Sequence, residues 1–380
     1  MSTYIYPPFR FSCHLNHEYR INIIDGILDS NNSSLARAIN GSRALVVTTP
    51  TVYKHYGKRF IQQARMQGLN FVCEVLELKE GKKTIESVEK ICELSLTHGL
   101  GRSDVLIAFG GGVCSDTVCM AASLIRRGIR HLRIPTTLIG QVDAGIGLKG
   151  GVNFQGYKNH LGCFYPPSDV FIDPGLLITL SREALSQGFA EIIKIALVCD
   201  AELFRDVQLH GSSLLYSGFS QPEDAAYSII ERATKMMLQQ LGENPYENMT
   251  SERLVDMGHT FSPYLEVASE FSISHGEAVS IDMALTSLIS VELGLLSEHD
   301  AYVIINLLSD LGLPIWSPLM TRELCDSAIN GMILHRRGEL NLVVLEAIGY
   351  PQFVKKPYEI KCGLLDRALS RLALLDESPI

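Results

Sequence analysis

Short apolar, β-branched runs alternate with helical periodicity through the first half of the chain. "RALVVTT" (Arg43–Thr49) reads as a strand, and "VYKHYGKRFIQQARMQG" after it as a helix. "NFVCEVLEL" gives a second strand, and "TIESVEKICELSLTHGLG" a helix closed by Gly99 and Gly101. "DVLIAFGGGVCSDTVCMAASLIRRG" then presents a buried strand, three glycines and another helix. Alternation of this kind predicts a parallel sheet covered on both faces by helices.

The pattern changes near Ser181. "REALSQGFAEIIKIALVCD", "AAYSIIERATKMMLQQLG", "SERLVDMGHTFSPYLEVASE" and "GEAVSIDMALTSLISVELG" all carry helical spacing, and only "ELNLVVLEAIG" (Glu339–Gly349) reads as a late strand or hairpin. The expected architecture is an α/β, Rossmann-like domain over residues 1–178 and a mostly α-helical domain over 179–380. Neither an internal repeat nor a low-complexity tract interrupts it.

A chain of 380 residues has room for both units and a large core. With 46% hydrophobic and 20% charged residues it is ordinary globular material. The net charge of −9 argues against nucleic acid or an anionic membrane as partner, yet leaves room for a local basic pocket that takes a phosphorylated small molecule. The leading "MSTYIYPPFRFSCHLNHEYR" has no apolar core, so no secretory signal is expected. The nine cysteines include no CxxC, and Cys114 and Cys119 are the closest pair. Reduced thiols in a cytoplasmic protein are the expectation.

Four stretches carry chemistry. "FGGGVCSD" (Phe109–Asp116) lies between a strand and a helix, where glycines let the backbone approach a pyrophosphate and the helix N-terminus stabilises it. It is not the GxGxxG fingerprint, and glycine also marks plain turns. Residues Ile134–Gly162 interleave glycine and apolar residues with Asp143, Lys149, Asn153, Lys158 and Asn159, a composition suited to an anion-binding active-site wall. "GFAEIIKIAL" sets Glu191 and Lys194 three apart on an otherwise apolar helix, where a carboxylate needs a cation. The fourth stretch places His259 and His275 sixteen residues apart, each beside a glycine. One such histidine is usually a satisfied helix residue. Together with Glu191 they make a candidate two-histidine, one-carboxylate site, with zinc the favoured metal and one position open to substrate.

In order, "GGGVCSD", "PTTLIGQVDAG", "GLKGGVNFQGYKN", "GFAEIIKIAL", "DMGHTFSP" and "HGEAVSIDMAL" resemble the motifs of the sugar phosphate cyclases, over nearly the whole chain from Ala44 to Gly349. That family includes dehydroquinate synthase and the sedoheptulose 7-phosphate cyclases. The resemblance implies a homodimer with tightly held NAD and with zinc on Glu191, His259 and His275. It points to Glu80, Lys83, Gly111, Gly112, Asp116, Thr136 and Thr137 for NAD, with Asp143, Lys149 and Lys158 alongside. It further implies a catalytic and substrate pocket of Asp143, Lys149, Lys158, Asn159, Lys194, Asp256 and Arg336.

Four positions depart from the dehydroquinate synthase pattern: Met237 replaces a lysine, Glu252 an arginine, Asp256 an asparagine and Pro263 a histidine. Cations that would meet a substrate carboxylate are gone and acids stand at two of the four positions, which favours a neutral ketose phosphate. The implied reaction is cyclisation of sedoheptulose 7-phosphate to a C7 cyclitol, 2-epi-5-epi-valiolone. It proceeds with loss of phosphate by transient oxidation, elimination, reduction and an intramolecular aldol, so the enzyme class is a carbon–oxygen lyase. Thr48-Thr49-Pro50 stands where the family carries Asp-x-Asn, which alters how the adenosine ribose is held. Sibling cyclases making 2-epi-valiolone or desmethyl-4-deoxygadusol stay open, as does a metal-dependent polyol dehydrogenase, which would release NADH with its product.

Overall fold

The structure is a computed structural model that describes residues 17–336, 338–360 and 363–377. Most of the leading stretch screened for a signal segment lies outside these residues, as do Cys13 and Cys362. The first half contains strands β1 (Arg20–Ile23), β2 (Ala44–Thr48), β3 (Phe71–Val75), β4 (Val105–Gly110), β5 (Arg130–Pro135), β6 (Lys149–Phe154), β7 (Tyr157–Phe164) and β8 (Asp169–Ile172). Six of them form one parallel sheet in the order β1-β8-β5-β4-β2-β3. Every residue of β2 and β4 is buried, the near-continuous apolar run demanded of a parallel strand covered on both faces.

Helices α1 (Ser34–Ile39), α2 (Pro50–Val52) and α3 (Lys58–Met66) serve one face, where Leu35, Ile39, Phe60 and Ala64 meet Val46, Ile107 and Ile134. Helices α4 (Ile85–Thr97) and α5 (Gly112–Leu124) serve the other, packing Val88, Ile91, Val118 and Ala122 on Leu45, Val47 and Leu106. The helix expected over residues 52–68 is interrupted by a π-helical turn at Tyr53–Gly57.

The second half is helical: α6 (Arg182–Cys199), α7 (Ala201–Tyr216), α8 (Glu223–Glu243), α9 (Ser262–Ala268), α10 (His275–Glu292), α11 (Glu298–Asp310), α12 (Arg322–His335) and α13 (Leu364–Glu377), with one antiparallel hairpin of β9 (Leu342–Ala347) and β10 (Tyr350–Val354). Helix α10 is buried from Ala278 to Ser290 without interruption, so it forms the axis of this half and not an amphipathic cover. An α/β unit followed by a mostly helical one is the expected fold class.

One expectation fails locally. Residues 251–270 are not one helix. They make a 3₁₀ turn at Leu254–Asp256, a bend through Gly258 at φ +72°, and then α9, which starts with Pro263 in its first turn. A left-handed glycine ends helical winding, and a proline is tolerated at a helix start but not inside. The stretch Ile134–Gly162 holds a π-helical turn at Gly140–Ala144 and the two-stranded β6–β7 ribbon.

Two glycines bring the halves of the future site together. A Cβ on Gly276 of α10 would sit 2.5 Å from Gln187 Cα and 2.6 Å from Gln187 O on α6. A Cβ on Gly188 would sit 2.5 Å from Leu138 Cβ. Only a residue without a side chain lets these backbones approach so closely. Gly276→Ala is therefore expected to force α6 and α10 apart and cost about 1–3 kcal/mol, the usual penalty of overpacking. Urea denaturation measures it; a loss below about 0.5 kcal/mol contradicts the close-packing account.

Candidate active site

Glu191 faces α10 from the middle of α6 and is wholly buried. His275 opens α10, held by a capping box in which Ser274 and Glu277 satisfy each other's backbone N–H groups. His259 sits in the bend before α9. That bend is anchored to α10 by Asp282, whose Oδ2 accepts Phe261 N–H at 2.5 Å and Ser262 N–H at 2.8 Å. Gly258 fits beneath it, 3.2 Å from Val279 O by its missing Cβ. The glycines beside the two histidines thus have separate tasks: one turns the chain, the other lets two helices touch.

Glu191 Oε1 lies 3.3 Å from His275 Nε2 and 4.0 Å from His259 Nε2, and one ligand atom from each of the three residues falls within 4.8 Å of the others. His259 Nδ1 is 3.1 Å from Met257 O, and His275 Nδ1 is 2.9 Å from Glu266 Oε1. Each ring therefore spends its Nδ1 proton on a fixed acceptor and turns Nε2 toward Glu191, the arrangement by which outer partners orient metal-binding histidines. Neither oxygen of buried Glu191 makes a hydrogen bond of good geometry. Lys194 Nζ stands 2.5 Å from Oε2 as an ion pair. Lys194 compensates Oε2, and Oε1 is left facing the two imidazoles, where a metal would complete it. A metal on Glu191, His259 and His275 fits all of these features.

The charges here are strongly coupled. Burial and Lys194 pull His259 down to about 3, so it is neutral at physiological pH. Burial also works against charge on His275, but Glu191 and Glu266 outweigh it and lift the ring to about 9. Burial raises Asp143 while Lys194 opposes it. Burial works to lower Lys194, but Glu191 and Asp143 prevail and hold it cationic.

The residues expected to meet NAD gather around the C-terminal ends of β4 and β5. Gly110 pairs with Pro135, so the turn at Gly111 and Gly112 adjoins Thr136 and Thr137. A Cβ on Gly111 would come within 3.0 Å of Thr137 Cγ2, and one on Gly112 within 3.3 Å of Ala144 Cβ. This cradle opens at the N-terminus of α5, and the sheet order reverses between β2 and β4, where α/β sheets hold their ligands. Lys83 Nζ bonds Asp116 Oδ2 at 2.6 Å and Asn159 Oδ1 at 2.5 Å. Glu80 Oε1 accepts Asn153 Nδ2 at 2.9 Å. The region fits a dinucleotide.

The expected substrate residues are not all in one cluster. Lys158 pairs with Glu266, and Lys149 reaches across to Glu247. Arg336 and Arg253 both hold Asp256, at 2.5 Å and 3.2 Å. Of the four departures, Met237 is buried in the core and Glu252 pairs with exposed Lys355. Pro263 begins α9. Sequence reasoning overlooked Glu266, Glu247 and Arg253. Glu266 is only 4% exposed, and its one legible signal is an acid within the apolar run "YLEVA".

Residues 74–187 match the 3-dehydroquinate synthase N-terminal family, and residues 188–332 the C-terminal family. The chain is 37% identical to a 2-epi-5-epi-valiolone synthase of Streptomyces glaucescens over 94% of its own length and 92% of the relative's. It is 38% identical to one of Streptomyces albus, over 91% and 87%. Among solved structures it is similar to ValA, the 2-epi-5-epi-valiolone synthase of Streptomyces hygroscopicus subsp. jinggangensis with NAD+ and Zn2+ bound. There the TM-score is 0.91 at 38% identity, covering 97% of this chain and 100% of that one.

Two predictions follow from the geometry. Glu266→Gln leaves Glu191, His259 and His275 in place but weakens the orientation of His275, so zinc affinity is expected to fall about 10–100-fold. Competition with a chromophoric chelator reads this, and unchanged affinity contradicts the role of Glu266. Because His275 keeps its proton up to about 9 in the metal-free protein, zinc must displace that proton. Apparent affinity is then expected to climb about tenfold per pH unit from neutrality and level off above that value. A flat profile would show that His275 is not a ligand.

Proposed function

Because the chain belongs to the 3-dehydroquinate synthase family of sugar phosphate cyclases, we propose that it converts sedoheptulose 7-phosphate to 2-epi-5-epi-valiolone with loss of phosphate. The observation that carries this reading is the cluster of Glu191, His259 and His275, with Lys194 against the same carboxylate, at the junction of a dinucleotide cradle and a helical half. In this proposal those three residues hold zinc. Glu80, Lys83, Gly111, Gly112, Asp116, Thr136 and Thr137 hold NAD, and Asp143, Lys149, Lys158, Asn159, Lys194, Asp256 and Arg336 meet the sugar phosphate. The α/β domain over 1–178 supplies the nucleotide site, the helical domain over 179–380 the metal site, and the two together the substrate site. We further propose that the protein is a cytoplasmic homodimer and a carbon–oxygen lyase; no helix among the described residues is long and apolar enough to cross a membrane.

When bound, NAD supplies a reversible hydride acceptor and zinc supplies Lewis acidity toward a substrate oxygen. The chain does the rest. Lys194, kept cationic by Glu191 and Asp143, stabilises negative charge as it grows on that oxygen. Lys149, Lys158 and Arg336 give the phosphate its cations, each moving off the acid it now holds: Glu247, Glu266 and Asp256. A departing phosphate oxygen can take the proton from the neighbouring carbon, so no side chain need be a strong base. Asp256 sets substrate choice: a substrate carboxylate meets an acid where an asparagine would have donated.

The test is incubation of the protein with sedoheptulose 7-phosphate, following phosphate release and identifying the cyclitol by NMR. The reading predicts one phosphate and one 2-epi-5-epi-valiolone per turnover with no accumulation of NADH. NADH rising in step with product would instead establish a dehydrogenase. The acid substrate of dehydroquinate synthase is expected to be poorer by about 10²–10⁴ in kcat/KM, since each missing charge-assisted bond forfeits roughly 1.5–3 kcal/mol. Comparable rates on the two substrates would overturn the branch assignment.

A further inference from the structure

Arg133 lies at the centre of the parallel sheet, on β5 between β4 and β8, paired with Ala108 on one side and Val170 on the other. None of it is exposed. A guanidinium in such a place must be compensated, and a carboxylate is the usual means. Here Nη1 and Nη2 donate to main-chain carbonyls, the Cys119 thiol lies within hydrogen-bonding reach of the group, and Nε finds no partner among the described residues. Nη1 donates to Ala144 O at 3.4 Å, Gly145 O at 3.2 Å and Gly147 O at 2.9 Å, and Nη2 to Lys149 O at 3.2 Å.

Those carbonyls belong to one run of chain, and the run has no carbonyl to spare. The Tyr19 hydroxyl donates to Ile146 O at 2.9 Å, and Tyr165 N–H to Leu148 O at 2.8 Å. All six carbonyls from Ala144 to Lys149 are thereby taken by donors of the surrounding scaffold, four of them by one side chain. The run begins directly after Asp143 and ends on Lys149. At one end the Asp143 carboxyl lies in the field of Lys194 and Glu191, and at the other Lys149 starts the β6–β7 ribbon and reaches Glu247.

We infer that Arg133 is a positioning residue for the reaction: it straps the backbone between Asp143 and Lys149 into the one shape that presents both side chains to the sugar phosphate. This rests on the cyclase reading of the site. A guanidinium suits the task because its planar fork offers several donors at fixed angles from one buried point. Lysine in its place would keep the charge and lose the fork.

The test compares wild type, Arg133→Lys and Arg133→Met in the NAD- and zinc-loaded protein. Three quantities are read: amide hydrogen exchange, zinc content, and kcat and KM for sedoheptulose 7-phosphate. Gly145 N–H and Ile146 N–H are hydrogen-bonded to Gly140 O and Asp143 O, in the turn that precedes the run, so they report on its shape. For Arg133→Lys we expect exchange at these two amides to quicken at least about tenfold and kcat to fall about 10–100-fold, because small misplacements of catalytic groups have effects of that size. Zinc content and exchange in β4 and β8 are expected to stay at wild-type levels. Wild-type kcat in Arg133→Lys overturns the proposal, and so does acceleration spread evenly through the sheet, which marks a merely structural arginine. If Arg133→Met fails to fold, Arg133→Lys decides alone. Should wild type leave sedoheptulose 7-phosphate untouched while the two amides still respond, the assigned reaction falls and the strap stands.

Discussion

Everything at this site depends on how closely α6 and α10 approach. Gly276 lies against the backbone of Gln187, one turn from Glu191 and next to His275. Without that contact the carboxylate and the imidazole could not stand 3.3 Å apart. The same approach buries Glu191 completely, so the packing that brings it to His275 also makes it depend on the Lys194 cation. Asp282 then ties the His259 bend to α10, and the third ligand arrives by a second route onto the same helix.

Charge is arranged around that contact in layers. Glu191 is shared by Lys194 and the two imidazoles, and Glu266 holds His275 with one oxygen and Lys158 with the other. Beyond it, Lys149, Glu247, Arg253, Asp256 and Arg336 form a chain of alternating sign. Lys149, Lys158, Lys194 and Arg336, the cations proposed to meet the sugar phosphate, are thus each already held by an acid. The nucleotide side follows the same rule, with Lys83 between Asp116 and Asn159.

Much of this was legible in the sequence because it rests on local signals. Strand–glycine–helix at Phe109–Asp116 is a short-range pattern, and the structure keeps it as the end of β4 and the start of α5. The isolated Glu191 and Lys194 on an apolar helix revealed themselves by being out of place. What escaped was non-local. Glu266 looks like any helix acid until the fold brings it to His275, and Arg133 sits in the mixed stretch "RHLRIP" with its four partners eleven to sixteen residues on. The β6–β7 ribbon was hidden because its glycines, at 150, 151 and 162, break the alternation by which a strand is read. The helix expected over 251–270 failed for the opposite reason: periodic apolar residues continued through a glycine and a proline that stop helical winding.

The central claim is that one carboxylate and two histidines, brought together by this packing, hold zinc. X-ray absorption at the zinc edge tests it most directly. The account predicts nitrogen and oxygen neighbours only, at about 2.0–2.2 Å, with the outer-shell scattering of two imidazoles. A sulfur shell near 2.3 Å would place the metal on cysteine and contradict it.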